Sequence, residues 1–425
     1  MGDADSFSSR KSGLLTDNLS IGVLTKTVPR FMVDEVLAAT NKKEKRSRLL
    51  PAHVVIYFVL ALALFRDGYD EVMRQLVHGL RFARTWSRDW TVPSTGALAQ
   101  ARARLGEAPL KELFARLAVP LASPGTPGAW LGRWRLMAID GVMLDIADTP
   151  ANRSEYEKTA TSTGTRRPYP QVRVVGLGEC GTHAIIDASI GSIRQGEREL
   201  AQALTPTLST NMLVMADRGF FSYQLWLDYL LTGADLLWRM TKTIGLPVQQ
   251  VLPDGSYLSE ISRIKGPGKT HISYAKIADP YLATHIPVRV IEYQVDTGQG
   301  ESQSETFRLI TTITDPAQAS AHQLAAAYAQ RWEFESILRE IECQLLTPAG
   351  TLRSKSPEMV RQEIWGLLLT HYAVRAFMKE AADTIEIDPD RISTIRAINI
   401  IRRSVTDTAE FPPHRDAHTK SPGDR

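Results

Sequence analysis

Three carboxylates stand where their surroundings give them chemical meaning: Asp140, Asp217 and Glu335. Asp140 interrupts the apolar run Leu136-Met-Ala-Ile139-Asp140-Gly141-Val-Met-Leu144, next to a glycine whose missing side chain lets a ligand approach the backbone. Asp217 ends a second apolar run, Met212-Leu-Val-Met-Ala216-Asp217-Arg218-Gly219. A strand end of this kind is the carboxyl edge where α/β sheets place their ligands. An apolar strand that carries one Asp needs a reason for burying it, because an unpaired charge in a core is costly. Three carboxylates with no imidazole or thiolate suit Mg²⁺ or Mn²⁺. Two such ions about 4 Å apart activate water or a 3′-hydroxyl and stabilise the leaving oxygen of a phosphodiester displacement, so no catalytic His is needed. Taken alone, Asp140 also fits an ordinary turn or strand-end aspartate. Asp145 and Asp148 are decoys: alternation puts Asp145 on the strand face opposite Asp140, and Asp148 opens an Asp-Thr-Pro turn.

Glu335 belongs to residues 319 to 343, a stretch rich in Ala, Gln, Leu, Glu and Arg with neither Gly nor Pro, which predicts one long helix. At about 100° per residue, Tyr328, Arg331, Glu335 and Glu342 share an arc of about 60°. Arg331 supplies a forked clamp for phosphate oxygens, Tyr328 a hydroxyl donor and Glu335 a metal-binding oxygen. Trp332 offers a stacking surface for an unstacked base, or fills a core. By pattern alone a solvated helix face with ordinary charge pairs is the better account of the stretch. The reading therefore depends on carboxylates arriving from elsewhere in the chain.

The rest of the composition bounds the answer. A chain of 425 residues, 43% hydrophobic, buries a large core and divides into two or three domains. With a net charge of +3, affinity for nucleic acid has to come from local clustering of its 50 Lys and Arg. Cys180 and Cys343, the two cysteines, exclude a disulfide framework and a cysteine zinc site, and a reducing cytoplasm is the default. The N-terminal residues lack the apolar core of a signal peptide, and the apolar run Val54 to Phe65 is about half a membrane span. No membrane partner is expected.

Along the chain, residues 1–20 are polar and read as disordered. Residues 21–122 read as a helical N-terminal DNA-binding domain, with helices at Val28 to Ala39, after Pro51, Tyr69 to Leu80, Ser94 to Leu105 and Leu110 to Leu117. Its basic clusters, Lys42, Lys43, Lys45, Arg46 and Arg48, then Arg81, Arg84 and Arg88, suit DNA phosphates; for the first cluster a solvated loop is an equal alternative. A Pro/Gly-rich linker at 123–129 leads into strands at Arg135 to Leu144, Gln171 to Leu177 and His183 to Ile190. Glu197 to Leu204 (helix), Met212 to Gly219 (strand), Tyr223 to Leu231 (helix) and Asp235 to Met240 (strand) follow. Three antiparallel strands followed by strands alternating with helices make a mixed sheet, and the order matches a ribonuclease-H-like α/β core. Residues 130–240 are its first part and 306–385 its second. Between them, 241–305 reads as a β insertion with strands at Val248 to Val251, His271 to Ile277 and Val288 to Val295. Residues 356 to 381 form an amphipathic helix, and 386–425 a C-terminal tail. Phosphate loops, Cys/His metal patterns and a Gly-x-Ser-x-Gly elbow are absent from the sequence, which removes nucleoside triphosphatases, zinc enzymes and serine hydrolases.

Ile139-Asp140-Gly141, Ala216-Asp217-Arg218-Gly219-Phe220 and Tyr328-x2-Arg331-x3-Glu335 together resemble the signature of the insertion element 4 family of cut-and-paste DDE transposases. The resemblance spans about residues 20 to 405. It implies metal-dependent DNA nicking at the terminal inverted repeats of an insertion sequence, a DNA hairpin in some members, and strand transfer into target DNA within a synaptic homodimer. It also implies a bacterial cytoplasmic protein, nucleoid-associated when DNA-bound. Carried over by position, Asp140, Asp217 and Glu335 would ligate two Mg²⁺ or Mn²⁺ ions, while Tyr328 and Arg331 would hold a phosphate near a flipped base, with Trp332, Arg218, Lys43 and Arg46 as further DNA contacts. In one departure from the family pattern, Glu342 stands where the family has Lys. A carboxylate repels a phosphate, so either another base such as Arg339 substitutes or the copy is a catalytically impaired or domesticated DNA-binding derivative.

Overall fold

The computed structural model describes residues 20–44, 50–82, 92–159, 167–262, 284–296, 304–346 and 350–403. These residues divide into two compact units. One holds the described chain up to Leu113, Gln362–Met378 and the segment from Ile392; the other holds Phe114–Arg361 and Lys379–Arg391.

The first unit contains helices α1 (Ser20–Thr27), α2 (Arg30–Ala39), α3 (Ala52–Leu64), α4 (Tyr69–Phe82) and α5 (Thr95–Leu105), and most of α6 (Ala108–Leu117). The helix expected over Val28 to Ala39 is α2, which starts only after Pro29, extended at φ −70°, ψ 149°, because its ring supplies no N–H to carry the ladder through; α1 before it was not expected. α3 is buried along its whole length and apolar except for His53, as suits a central helix of a bundle. α5 starts where Ser94 accepts the Ala97 N–H, a cap that stabilises a helix by about 1 kcal/mol. Among the described residues no single helix is long and apolar enough to cross a membrane.

The second unit begins with β1 (Trp130–Leu131), β2 (Trp134–Ile146), α7 (Pro150–Tyr156), β3 (Gln171–Glu179), β4 (Ile185–Ser192), α8 (Glu197–Gln202), β5 (Met212–Ala216), α9 (Tyr223–Leu230) and β6 (Asp235–Arg239). It continues with β7 (Gln250–Val251), β8 (Tyr257–Ser262), β9 (His285–Asp296), β10 (Ser304–Thr311), α10 (Ala321–Ala329), α11 (Trp332–Glu340) and β11 (Thr351–Leu352). α12 (Pro357–Thr384) and α13 (Thr394–Arg403) complete the chain.

One 11-stranded sheet runs in the order β4-β3-β2-β5-β6-β10-β9-β8-β7, with β1 and β11 also paired to β2. The first three strands are antiparallel, β2, β5, β6 and β11 are parallel, and the rest are antiparallel. The segment read as a β insertion is therefore continuous with the core sheet. β10 pairs β6 on one side and β9 on the other, so the later strands extend the same hydrogen-bonded edge. β8 was not anticipated, and the strand expected at His271 to Ile277 lies outside the described residues. Trp238 of β6 packs edge-to-face against Trp226 and Tyr229 of α9, with ring centroids 5.1 and 5.7 Å apart. The Tyr229 hydroxyl donates to the Ala201 carbonyl at 2.7 Å, which ties α9 to α8.

Two stretches behave differently from their linear reading. The middle of α12 belongs to the helical unit, where Gln362 Nε2 donates to the carbonyls of Arg102 and Gly106 at 3.0 and 2.6 Å, and Arg102 Nε donates to Gln362 Oε1 at 2.9 Å. The segment read as a tail from 386 carries a 3₁₀ turn at Pro389–Arg391 and then α13, whose Ala397, Ile398 and Ile401 are buried. Apolar residues at i, i+1 and i+4 give that helix a face to bury, which outweighs the polarity around it.

Candidate active site

The parallel pairing of β2 with β5 aligns the first two acids. Its register ends at Ala138↔Met215, so Asp140 and Asp217, each two residues further on, lie at the same level. Asp140 is still within β2, opposite Gly176 of β3, and its Oδ1 accepts the Gly141 N–H at 2.7 Å. Asp217 follows the last residue of β5, and Tyr328 donates its hydroxyl to the carbonyl of Ala216 at 3.3 Å.

The third acid comes from two helices where one was expected. Ser320 and Gln323 form a reciprocal capping box that starts α10. Between Ala329 and Trp332 the backbone stays right-handed, but its bonds tighten to i→i−3: Gln330 N–H to Ala327 O, Arg331 to Tyr328, Glu333 to Gln330 and Phe334 to Arg331. Helix-forming composition carries no signal for such a 3₁₀ step. Beyond it, Phe334 of α11 sits over the glycines of β3. A Cβ built on Gly178 would lie 2.6 Å from the Phe334 ring, so the ring occupies space that only glycine leaves. Full burial of an aromatic ring contributes about 1.5–3 kcal/mol, and here it fixes the height of α11 above the sheet.

Arg331 lies between the acids. Nη1 is 3.2 Å from Asp140 Oδ2 and Nη2 is 3.5 Å from Glu335 Oε1. Burial opposes its charge, but the surrounding carboxylates of Asp140, Asp217 and Glu335 raise its already high pKa. Its guanidinium carbon is 5.8 Å from the Tyr328 ring centre and 5.0 Å from that of Trp332, within cation–π range. Burial pushes the Asp140 carboxyl up, helped by the negative charges of Glu335 and Glu197, while the Gly141 N–H and Arg331 oppose the rise. Asp217 Oδ1 is buried and has no hydrogen-bond partner. An anionic oxygen left in that condition, beside crowded carboxylates with one guanidinium among them, fits a hard divalent cation.

The expected contacts divide clearly. The structure brings Tyr328, Arg331, Asp140 and Glu335 together, with the charge of Asp217 reaching Arg331. Trp332 is half exposed, so it is not a core aromatic. Arg218 and Lys43 are exposed, Lys42 donates to the Arg104 carbonyl at 2.9 Å, and Arg46 with most of both basic clusters lies outside the residues whose side chains are described. Glu342 falls in a π-helical turn, Ile341–Leu345, where the extra residue per turn takes it off the register of α11. Its carboxyl is raised by burial and by Asp145. Arg339 is exposed.

Glu197, at the start of α8, was missed. A Cβ on Gly141 would meet its Oε1 at 3.1 Å, so the space beside Asp140 is filled by a fourth carboxylate. The glycine next to the acid was the one available signal, and it gave no hint of what would fill the gap.

Comparison with known proteins gives two family matches: "Insertion element 4 transposase N-terminal" over residues 18–115 and "Transposase DDE domain" over residues 135–372, more than half of the chain. The chain is 29% identical over 388 residues to the transposase InsG for insertion sequence element IS4 of Escherichia coli (strain K12), covering 90% of this chain and 83% of that protein. It is 28% identical over 222 residues to the putative transposase InsZ of the same organism, covering 52% of this chain and 71% of that one. A solved chain of the piggyBac transposase synaptic complex with hairpin DNA aligns at TM-score 0.47 and 11% identity, over 92% of this chain and 80% of that one.

Proposed function

Because the chain belongs to the insertion element 4 family of DDE transposases, enzymes of DNA cleavage and strand transfer, we propose that Asp140, Asp217 and Glu335 are its catalytic, metal-holding acids. The observation that carries this reading is the Arg331 guanidinium shared between Asp140 and Glu335, with the orphaned Asp217 Oδ1 beside it. Asp140, Asp217 and Glu335 would hold two Mg²⁺ or Mn²⁺ ions, whose chemistry would be the activation of water or a 3′-hydroxyl and the stabilisation of the leaving oxygen.

The chain's own groups do the positioning. Arg331 would clamp a phosphate oxygen of the scissile strand, a contact for which its planar fork is suited. Tyr328, held against the β5 end, keeps its proton because burial lifts its pKa; its hydroxyl is a donor at working pH, not a nucleophile. Trp332, half exposed beside Arg331, offers its face to a base displaced from the duplex end. The helical unit and the exposed Lys43 and Arg218, with Arg46, contact terminal-repeat and target DNA.

The core is ribonuclease-H-like in this reading, supported by three antiparallel strands followed by two parallel ones, and the protein acts as a homodimer on paired ends in the bacterial cytoplasm and nucleoid. Labelled linear DNA carrying the element's own ends, incubated with Mg²⁺ or Mn²⁺, tests the proposal. End-specific nicking that Asp217→Asn abolishes supports it; nicking that survives the substitution removes Asp217 from the site.

A further inference from the structure

A second group of ligand atoms sits on α11 away from Glu335. Positions 333 and 335 are about 200° apart around a helix, so Glu333 leaves the opposite side. There, among the described residues, one His Nε2 and two carboxylate oxygens, from His183, Glu333 and Asp390, lie within 4.8 Å of one another. His183 Nε2 is 3.2 Å from Asp390 Oδ1 and 3.8 Å from Glu333 Oε2. His183 is 6% exposed, and that nitrogen makes no hydrogen bond although two carboxylate oxygens stand within 4 Å of it. The ring's other nitrogen, Nδ1, is 3.3 Å from Glu340 Oε1.

We propose that His183, Glu333 and Asp390 form a structural site for a divalent transition-metal ion of the zinc class, which pins α11 to the β3–β4 turn and to the 3₁₀ turn at Pro389–Arg391. Ligands about 2.0–2.2 Å from a tetrahedral zinc stand about 3.4 Å from each other, and the 3.2 and 3.8 Å separations bracket that edge. With its proton on Nδ1 facing Glu340, the ring keeps Nε2 as the metal-binding nitrogen, the carboxylate–imidazole–metal order common in zinc sites. Without a cation between them, a lone pair and two carboxylates repel. A dication offsets the two facing carboxylates, of which Asp390 is exposed and Glu333 also accepts the Gly181 N–H. Imidazole among the donors selects zinc-class ions over Mg²⁺ or Ca²⁺. The proposal stands on this geometry and does not depend on the roles given to the catalytic acids.

The test uses the full chain with Asp140→Asn, Asp217→Asn and Glu335→Gln, so that those acids do not compete for metal. Titration calorimetry with Zn²⁺ should give one equivalent per chain and a rise in Tm. Adding Asp390→Asn or His183→Gln should weaken binding by at least about 100-fold, the upper end for losing even an outer-shell group, with circular dichroism unchanged. Zinc-edge X-ray absorption on the chain with all three proposed ligands present should report one imidazole and otherwise oxygen ligands, a readout that needs no further variant to fold. Absence of a stoichiometric equivalent, binding that survives both substitutions, or a sulfur-ligated or multi-imidazole spectrum would overturn the assignment.

Discussion

Arg331 donates to Asp140 across 191 positions of sequence, Nη1 to Oδ2 at 3.2 Å, and reaches Glu335 with its other terminal nitrogen at 3.5 Å. One buried guanidinium thus compensates two acids that come from a strand and a helix.

Removing it separates its two tasks. Arg331→Ala should cut nicking of end-bearing DNA by about 10²–10³, the usual cost of losing one preorganised donor, and Arg331→Lys should recover little because an ammonium lacks the fork. Mn²⁺ affinity, measured by calorimetry, should hold or rise, because a competing cation has left the carboxylates. A parallel collapse of metal binding would mean that Arg331 organises the acids instead of contacting DNA.

Gly178→Val should displace Phe334 and tilt α11. Overpacking of this kind costs about 1–3 kcal/mol, visible as a lower Tm, and nicking should fall further than end binding because Glu335 moves with the helix. Equal losses of binding and nicking would point to global unfolding.

Glu342→Lys should replace a like-charge contact with Asp145 by an opposite-charge one, stabilising the chain by up to about 1 kcal/mol. Nicking should rise and DNA affinity should strengthen at low salt. A gain in nicking with unchanged affinity would instead locate the effect in the chemical step.

Acid should weaken the helical unit through His53. Burial first, then the Arg30 charge, lowers its pKa from 6.5 to about 4, with Asp34 opposing. The folded state therefore resists a proton that the unfolded chain accepts. Stability is full above pH 6.5 and declines as the pH falls through about 4, by about 3 kcal/mol in all. Denaturant titrations at pH 7 and 4.5 should show the decline, and His53→Leu should flatten it.

Much of the local organisation is legible in the residues themselves. β2, β3, β5, β6 and α9 lie close to their expected bounds, because apolar runs between turn residues report on burial directly. Boundaries failed where one residue redirects the backbone, as Pro29 does, or where hydrogen bonding changes within right-handed helix, as at Gln330 and Ile341. Composition is blind to both the 3₁₀ step and the π turn, since the dihedrals differ little from those of an α-helix.

The sequence by itself determined the chemical inventory: acids on apolar strand segments, a Tyr/Arg/Glu helix, and a pattern shared with a transposase family. These depend on residue type and short-range spacing, which the chain carries explicitly. Only the tertiary structure decided that β10 would join the later strands to the core edge, that Gln362 would lock to Arg102, that Glu197 would fill the gap over Gly141, and that His183 would meet Glu333 and Asp390. Each of those contacts joins residues far apart in the chain, and their meeting is set by strand register and side-chain packing, which no local pattern records.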